Sequence, residues 1–365
     1  MQMILMLVCG HVLAVSAGFQ KPLQFLLRGL LKLPHPAVGL VFVSAMMSWF
    51  HWGFGLVAGG LLAGQLAQKK PAGRLAYAAA AYAGFIVWHG GWSGSAPLVV
   101  ATSGHPWEAA MGVIPIQNTL FSALNLTLLV SVTCAAAFTV FFLPQRDVDP
   151  VNTVPPTPPT PPTVTAPGRD YVFWVGLLLA ILSVTAFVTG WQTLNLNSLI
   201  LLLFALALCA QGQQEAFQQA VADGLKGTAG ILIQFPLYGA IMAVMRDSGL
   251  AVLCAEQMLS VATPNSFLPF VFWGAGALNL VVPSGGGQWA VQAPVIVPVA
   301  QKLGVSLPST VIAFSWGDAW TNLVQPFWAL PLLAMTGVKA SDLLPYTALI
   351  CLTTGLAATA VLFFF

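Results

Sequence analysis

Charge is what this sequence has least of: 12 Lys and Arg and 10 Asp and Glu among 365 residues, 6% of the chain where soluble domains carry roughly 25%. Such a chain cannot cover a water-facing surface, which excludes a soluble fold. The formal net charge is only +2 and the densest basic group is Lys69, Lys70 and Arg74, so no nucleic-acid footprint is present. Cysteine is also scarce. Cys9, Cys134, Cys209, Cys254 and Cys351 are far apart with no C-x-x-C pair, which excludes a zinc-type spacing and leaves them as packing residues. No H-E-x-x-H and no P-loop occurs, which removes the zincin metalloproteases and a primary pump within this chain.

Apolar residues make up 58% of the chain, and uncharged stretches run over 75–107, 109–145, 171–214 and 257–301. Each exceeds the ~20 residues of a membrane helix. The fold class is therefore an all-α polytopic membrane protein with the lipid bilayer as solvent. The start, 1–19, has no basic leader and no small-residue cleavage site before Lys21, so it reads as a spanning helix rather than a signal peptide. Further spans are predicted at 75–103, 118–143, 171–190, 195–211, 227–245, 309–336 and 342–364.

Two apolar stretches fail as ordinary spans. Ala37 to Gln68 is broken by His51-Trp-Gly-Phe-Gly55; it is too long for one crossing and too short for two. Basic residues flank it on both sides, Lys21, Arg28 and Lys32 before and Lys69, Lys70 and Arg74 after. A re-entrant hairpin at 37–68 keeps both clusters in the cytoplasm, as the positive-inside rule prefers. The second stretch, 264–300, breaks at Pro283-Ser-Gly-Gly-Gly287 and reads as a hairpin entering from the opposite face. Long helices with polar breaks follow each hairpin: Trp88-His-Gly-Gly-Trp-Ser-Gly-Ser95 within 75–103 and Trp316-Gly-Asp-Ala-Trp-Thr-Asn322 within 309–336. Aligning Gln68-Lys69 with Gln301-Lys302 sets His51 opposite Ser284. The organisation is thus two inverted repeats, 1–143 and 171–365, joined by a Pro/Thr-rich cytoplasmic linker at 144–170. Broken helices leave backbone groups unpaired at membrane depth, where only a protein-lined cavity tolerates them.

Candidate functional residues lie at the four breaks. Asp318 is the one ionisable residue between Lys302 and Lys339, and an intramembrane carboxyl needs a proton, a cation or a partner; the alternative role is a helix cap. Ser284, Gly285, Gly286 and Gly287 offer unobstructed N–H groups for a carboxylate, or form a tight turn. His51 and His89 can donate to an anion or titrate, or satisfy a helix end. Ser93, Ser95, Asn279, Gln288, Thr321, Asn322 and Gln325 add neutral hydrogen-bonding groups that orient a substrate, supply oxygens to a cation, or join helices. Trp52, Trp92, Trp289, Trp316 and Trp320 stand beside the breaks as apolar walls or packing. No Lys or Arg falls within them, which favours a monocarboxylate over a di- or tricarboxylate. Gly91-Trp-Ser-Gly94 fits the G-x-S-G of intramembrane serine proteases, but no histidine follows His105 to act as a base from another helix. The chain is not read as an enzyme.

At these breaks the sequence resembles the short-chain fatty acid transporter family, the permeases associated with acetoacetate and butyrate use. The matching residues are Trp52-Gly-Phe-Gly-Leu-Val57, Gly90-Gly-Trp-Ser-Gly-Ser-Ala-Pro97, Val282-Pro-Ser-Gly-Gly-Gly-Gln-Trp289 with Gln292 and Pro294, and Gln325-Pro-Phe-Trp-Ala-Leu-Pro331. The resemblance implies a secondary transporter of short-chain monocarboxylates in the bacterial inner membrane, without a cofactor, and by superfamily analogy a homodimer. It also implies a further spanning helix ahead of 1–19, asparagine at the position of His51, and glutamate as an alternative at Asp318. The reading assigns His51, Gly53, Gly55, His89, Gly90, Gly91, Ser93, Gly94, Ser95 and Ser284–Gln288 to the substrate. Asp318, Thr321, Asn322, Asn279 and Gln325 are assigned to a coupling ion, Na⁺ or H⁺. A dicarboxylate or drug exporter and a non-transporting receptor remain the alternatives.

Overall fold

The computed structural model describes residues 2–144, 169–193, 195–225, 236–237, 240–241, 243–244 and 247–365. The described residues form helices and no strand. Most of the 144–170 linker and most of the predicted 227–245 span lie outside them.

The chain begins with α1 (Gln2–Ala14) and α2 (Ala17–Lys32), bent by 67° at the joint. This corrects the single span predicted over 1–19. Ser16 is extended, and its hydroxyl donates to the Leu13 carbonyl at 2.8 Å, closing α1 early. The next sequence is amphipathic: Leu23, Leu27 and Leu30 are buried, while Lys21, Arg28 and Lys32 are exposed. That spacing suits a helix lying along a surface.

Next come α3 (Pro36–Phe50), α4 (Trp52–Lys69), α5 (Arg74–Phe85), a 3₁₀ turn over Ile86–Gly90, and the short α6 (Ser95–Val100). After two single turns the first half closes with α7 (Ala123–Phe142). The second half opens with α8 (Tyr171–Val188), α9 (Leu196–Gln211), α10 (Gln214–Leu225) and α11 (Leu250–Val261). It ends with α12 (Phe267–Asn279), α13 (Gly285–Leu303), α14 (Leu307–Trp320), a 3₁₀ turn over Thr321–Val324, α15 (Pro326–Thr336) and α16 (Ala340–Phe364). Among the described residues α7, α8 and α16 are each long and apolar enough to cross a membrane. Exposed Val130, Phe138, Trp174, Leu178, Leu352 and Leu356 turn their outer faces to lipid.

The predicted hairpin stretches are helical hairpins, α3–α4 and α12–α13, and the two long helices that come after them are broken by 3₁₀ turns. The α3–α4 hairpin packs on α5, and α12 packs on α14. The halves then cross: α15 lies on α4, α13 on α6, and α14 on the Ile86–Gly90 turn. All four breaks are thereby drawn into one buried core.

Candidate functional site

The hairpin tips use the same local chemistry. At the first, one extended residue, His51, separates α3 from α4, and its Nδ1 accepts from the Phe54 N–H at 3.2 Å. At the second, Ser284 is extended and its Oγ accepts from the Gly287 N–H at 3.3 Å. Both are N-caps that satisfy an amide three residues on. The helices they cap begin differently. The first starts with Trp52, whereas the second starts with Gly285, Gly286 and Gly287, and the first N–H groups of a helix have no intrahelical acceptor.

The first tip is closed by the Gly91–Gly94 segment. The Trp92 N–H donates to the Trp49 carbonyl at 2.8 Å, and the Trp52 N–H to Ser93 Oγ at 2.9 Å. A Cβ on Gly91 would stand 2.2 Å from the Trp49 carbonyl oxygen, and one on Gly55 2.4 Å from Ser48 Cα. These glycines let backbones meet. His51, Gly53, Gly55, Gly91 and Ser93 thus meet in a packed joint at the first tip, where His51 Nε2 is buried without a partner among the described residues. No hydrogen bond joins the Ser93 hydroxyl to a histidine side chain among the described residues.

The second tip rests on a pair that the sequence reading had divided between two sites. His89 Nδ1 and Asp318 Oδ2 are 2.6 Å apart, and both side chains are buried. The Ala96 N–H donates into His89 Nε2 at 3.1 Å, so the ring proton resides on Nδ1 and is donated to the carboxylate. Trp88 stacks on His89 at 4.3 Å between centroids, and Phe314 meets it edge-on at 5.9 Å. Gly285 is pressed against this pair: its Cβ would lie 2.7 Å from His89 Cε1, 2.8 Å from Trp88 Cη2 and 3.3 Å from Asp318 Oδ2. Gly286 faces Ser95, whose Cβ would be 3.8 Å away. Asp318 Oδ1 and Ser95 Oγ are buried with no partner among the described residues.

Asn125, which the sequence reading missed, fastens the two broken helices together. Its Nδ2 donates to the Gly90 and Leu120 carbonyls, each at 2.8 Å, and its Oδ1 accepts from Trp316 Nε1 at 2.7 Å. A lone amide within the apolar run of α7 was the available signal. Gly90 is packed beneath it, and Gly94 beneath the His89 carbonyl.

The remaining predicted ion residues form a separate brace. Asn279 Nδ2 donates to Thr321 Oγ1 at 2.9 Å and to Asn322 Oδ1 at 2.8 Å, and Gln325 donates to the Asn279 carbonyl. Tyr82, also missed, donates to the Asn322 and Gln325 carbonyls at 2.7 and 3.1 Å. The structure thus joins Asp318 to His89 rather than to Thr321 and Asn322. Gln288 is turned back into its own hairpin, donating to the Ala275 carbonyl at 2.7 Å and to Gln292 Oε1 at 3.0 Å. Beyond Gln292, an apolar cavity of about 760 Å³ lies between α11 and the hairpin helices α12 and α13. Its polar lining is Gln257 and Gln292, with no charge.

Comparison with known proteins bears on the whole chain. The family model described as "Short chain fatty acid transporter" matches residues 1–153 and 171–365. The "Putative short-chain fatty acid transporter" of Escherichia coli (strain K12) is 34% identical over 374 residues, 97% of this chain and 84% of that protein. A protein of the same description from Haemophilus influenzae is 34% identical over 375 residues, 96% of this chain and 83% of its own. Among solved structures, the YdaH transporter of Alcanivorax borkumensis superposes with a TM-score of 0.61 at 19% identity, covering 99% of this chain and 84% of that one. That likeness is one of fold.

Proposed function

The chain belongs to the short-chain fatty acid transporter family, and we propose that it is a secondary transporter that moves a short-chain monocarboxylate such as acetoacetate or butyrate with a coupling cation. Its membrane is the inner membrane of a bacterium, as for a transporter with bacterial relatives. The carboxylate docks at the start of α13, on the Gly285 and Gly286 N–H groups, with Ser95 Oγ facing them. Trp88 and Phe314 supply apolar surface beside the site.

The observation that carries this reading is a glycine helix start packed against two residues, a Cβ on Gly285 lying 3.3 Å from Asp318 Oδ2 and one on Gly286 3.8 Å from Ser95 Cβ. Each of the two also has a buried polar atom, Asp318 Oδ1 and Ser95 Oγ, without a partner among the described residues. Helix-start amides favour one negative charge, and the absence of Lys or Arg at the breaks disfavours a second. The hairpins enter the membrane from opposite faces and do not cross it. Each moves as one body with the broken helix braced to it, so the site opens to one side and then the other. The brace of Asn279, Thr321, Asn322 and Gln325 serves that coupling of motion.

The test is counterflow in proteoliposomes loaded with unlabelled acetoacetate, which needs no ion gradient. Labelled acetoacetate and butyrate are expected to exchange faster than succinate. Faster exchange of succinate or of an amphiphilic dye would overturn the assignment.

A further inference from the structure

We propose that the coupling ion is a proton, carried on Oδ1 of Asp318 and positioned by His89, and that its presence is what admits the substrate carboxylate. The inference rests on the monocarboxylate reading above.

The hydrogen bonds leave one place for the proton. His89 Nε2 is occupied by the Ala96 N–H and Nδ1 already bears hydrogen toward Oδ2. Protonating the imidazole would therefore break the Ala96 bond. Asp318 Oδ1 has no partner among the described residues, so a proton from bulk water bonds there and no other bond changes. The surroundings suit a proton better than Na⁺. A hard cation gathers several oxygens, whereas the one group bonded to this carboxyl is a donor, the His89 Nδ1–H, and the residue pressed against it, Gly285, opens a helix whose first amides have no intrahelical acceptor.

No second charge faces the pair. Among the elements packed on it, α3, α6, α12 and Thr321–Val324 contain no Asp, Glu, Lys or Arg. Arg74, Lys302 and Asp342 stand at the ends of α5, α13 and α16. Tyr82 is turned to the amide brace and His51 to the cap of α4. Tyr77 lies against Gly73, Tyr346 donates to the Pro144 carbonyl, Cys351 lies on the Trp320 carbonyl, and Cys134 is exposed.

The consequence is obligatory coupling. A carboxylate on Gly285 and Gly286 sits within a few ångströms of Asp318, and two like charges there repel strongly in a site of low polarity. A proton on Oδ1 removes the repulsion and turns a repelling oxygen into a donor for the substrate. The site carries one negative charge when empty and one when loaded with anion and proton, so transport is electroneutral.

The experiment is isothermal titration calorimetry of acetoacetate with the detergent-solubilised protein. Two buffers of different ionisation enthalpy give the protons bound per ligand, and choline replaces Na⁺ in a parallel series. The expected result is one proton taken up per acetoacetate, a Kd that rises about tenfold per pH unit on the alkaline side, and no change in choline. Asp318→Asn is expected to flatten that slope. His89→Gln is expected to keep the slope but shift its midpoint, a readout that a purely structural role would not move. If Asp318→Asn fails to fold, the wild-type proton count and the His89→Gln midpoint still decide.

Na⁺-dependent binding without proton uptake would overturn the proton assignment and leave the monocarboxylate reading standing. A wild-type slope in Asp318→Asn would show that the neutral acid is the bound species, and would also overturn it. A folded wild-type protein that binds no monocarboxylate would overturn both.

Discussion

Gly285 and Gly286 are consecutive residues at the start of one helix, yet the structure gives alanine different consequences at each. Alanine in place of glycine gains about 0.4–1 kcal/mol where the fold accepts it, because the unfolded chain loses freedom. At Gly285 the new methyl would stand 2.7 Å from His89 Cε1 and 2.8 Å from Trp88 Cη2. Those two rings are buried and stacked at 4.3 Å, so neither can give way without breaking the Asp318 contact. Overpacking of this kind costs about 1–3 kcal/mol, and a net loss of about 1–2 kcal/mol is expected. At Gly286 the nearest atom is Ser95 Cβ at 3.8 Å, an ordinary contact, so stability is expected to be unchanged or slightly higher. Its methyl, however, enters the gap between the tip and Ser95 in which the carboxylate is proposed to sit. A displaced contact of about 1–2 kcal/mol corresponds to a loss of roughly 5- to 30-fold in acetoacetate affinity. Thermal unfolding of the solubilised variants and calorimetric binding separate the two quantities. The reasoning fails if Gly286→Ala is the less stable protein, or if it binds acetoacetate as tightly as wild type.

Three further substitutions probe the scaffold. Asn125→Ala strands the Trp316 indole N–H and two buried carbonyls, and should lower stability by about 3 kcal/mol or more; a melting temperature close to wild type would refute its role as a fastener. Tyr82→Phe keeps the ring but removes the hydroxyl from the Asn322 and Gln325 carbonyls, for an expected loss of about 1–2 kcal/mol measured the same way. Ser93→Ala removes the acceptor of the Trp52 N–H, at about 1 kcal/mol. Because Ser93 has no histidine base among the described residues, a fluorophosphonate probe is expected to leave the wild-type protein unlabelled, and labelling at Ser93 would revive the protease reading.

The architecture was legible wherever a local signal marked it. Charge-free runs gave the membrane class, and the breaks at His51 and at Pro283-Ser284 fall between the helices that end at Phe50 and Asn279 and begin at Trp52 and Gly285, with Gly285–Gly287 forming the first turn of the last of these. The bend between α1 and α2 was not legible, because Val15-Ser16 is no strong breaker and the apolar run continues through Phe19. The His89–Asp318 contact joins residues 229 positions apart, a distance that no periodicity spans. A hint existed all the same. Each is the lone acid or histidine of its broken helix, and a carboxyl buried in a membrane must find a partner. Sorting residues by break, as the sequence invites, assigned one to the substrate and the other to the ion. The fold places both against a third break, the tip of the opposite hairpin.

The two hairpin tips differ in what stands at the start of the helix that each one caps. His51 and Ser284 occupy equivalent positions and cap their helices alike; the helix after Ser284 opens on three glycines, with room beside Gly286, whereas the helix after His51 opens on Trp52 and carries the imidazole of His51 itself against its first turn. Its ring lies against Gly10, where a Cβ would stand 2.5 Å from His51 Cε1. If capping is its function, asparagine, whose side-chain oxygen caps helices as well as any residue, should replace it. His51→Asn is therefore expected to fold, to bind acetoacetate and to keep the pH dependence of binding. His51→Ala loses a cap of about 1 kcal/mol and leaves a cavity that costs about 2 kcal/mol or more, so its melting temperature should fall well below that of His51→Asn. The comparison also guards the proton assignment. Should His51→Asn retain a wild-type melt and affinity while losing the uptake of a proton on binding, the proton would be carried at the first tip, and the pair at the second would be only a structural joint.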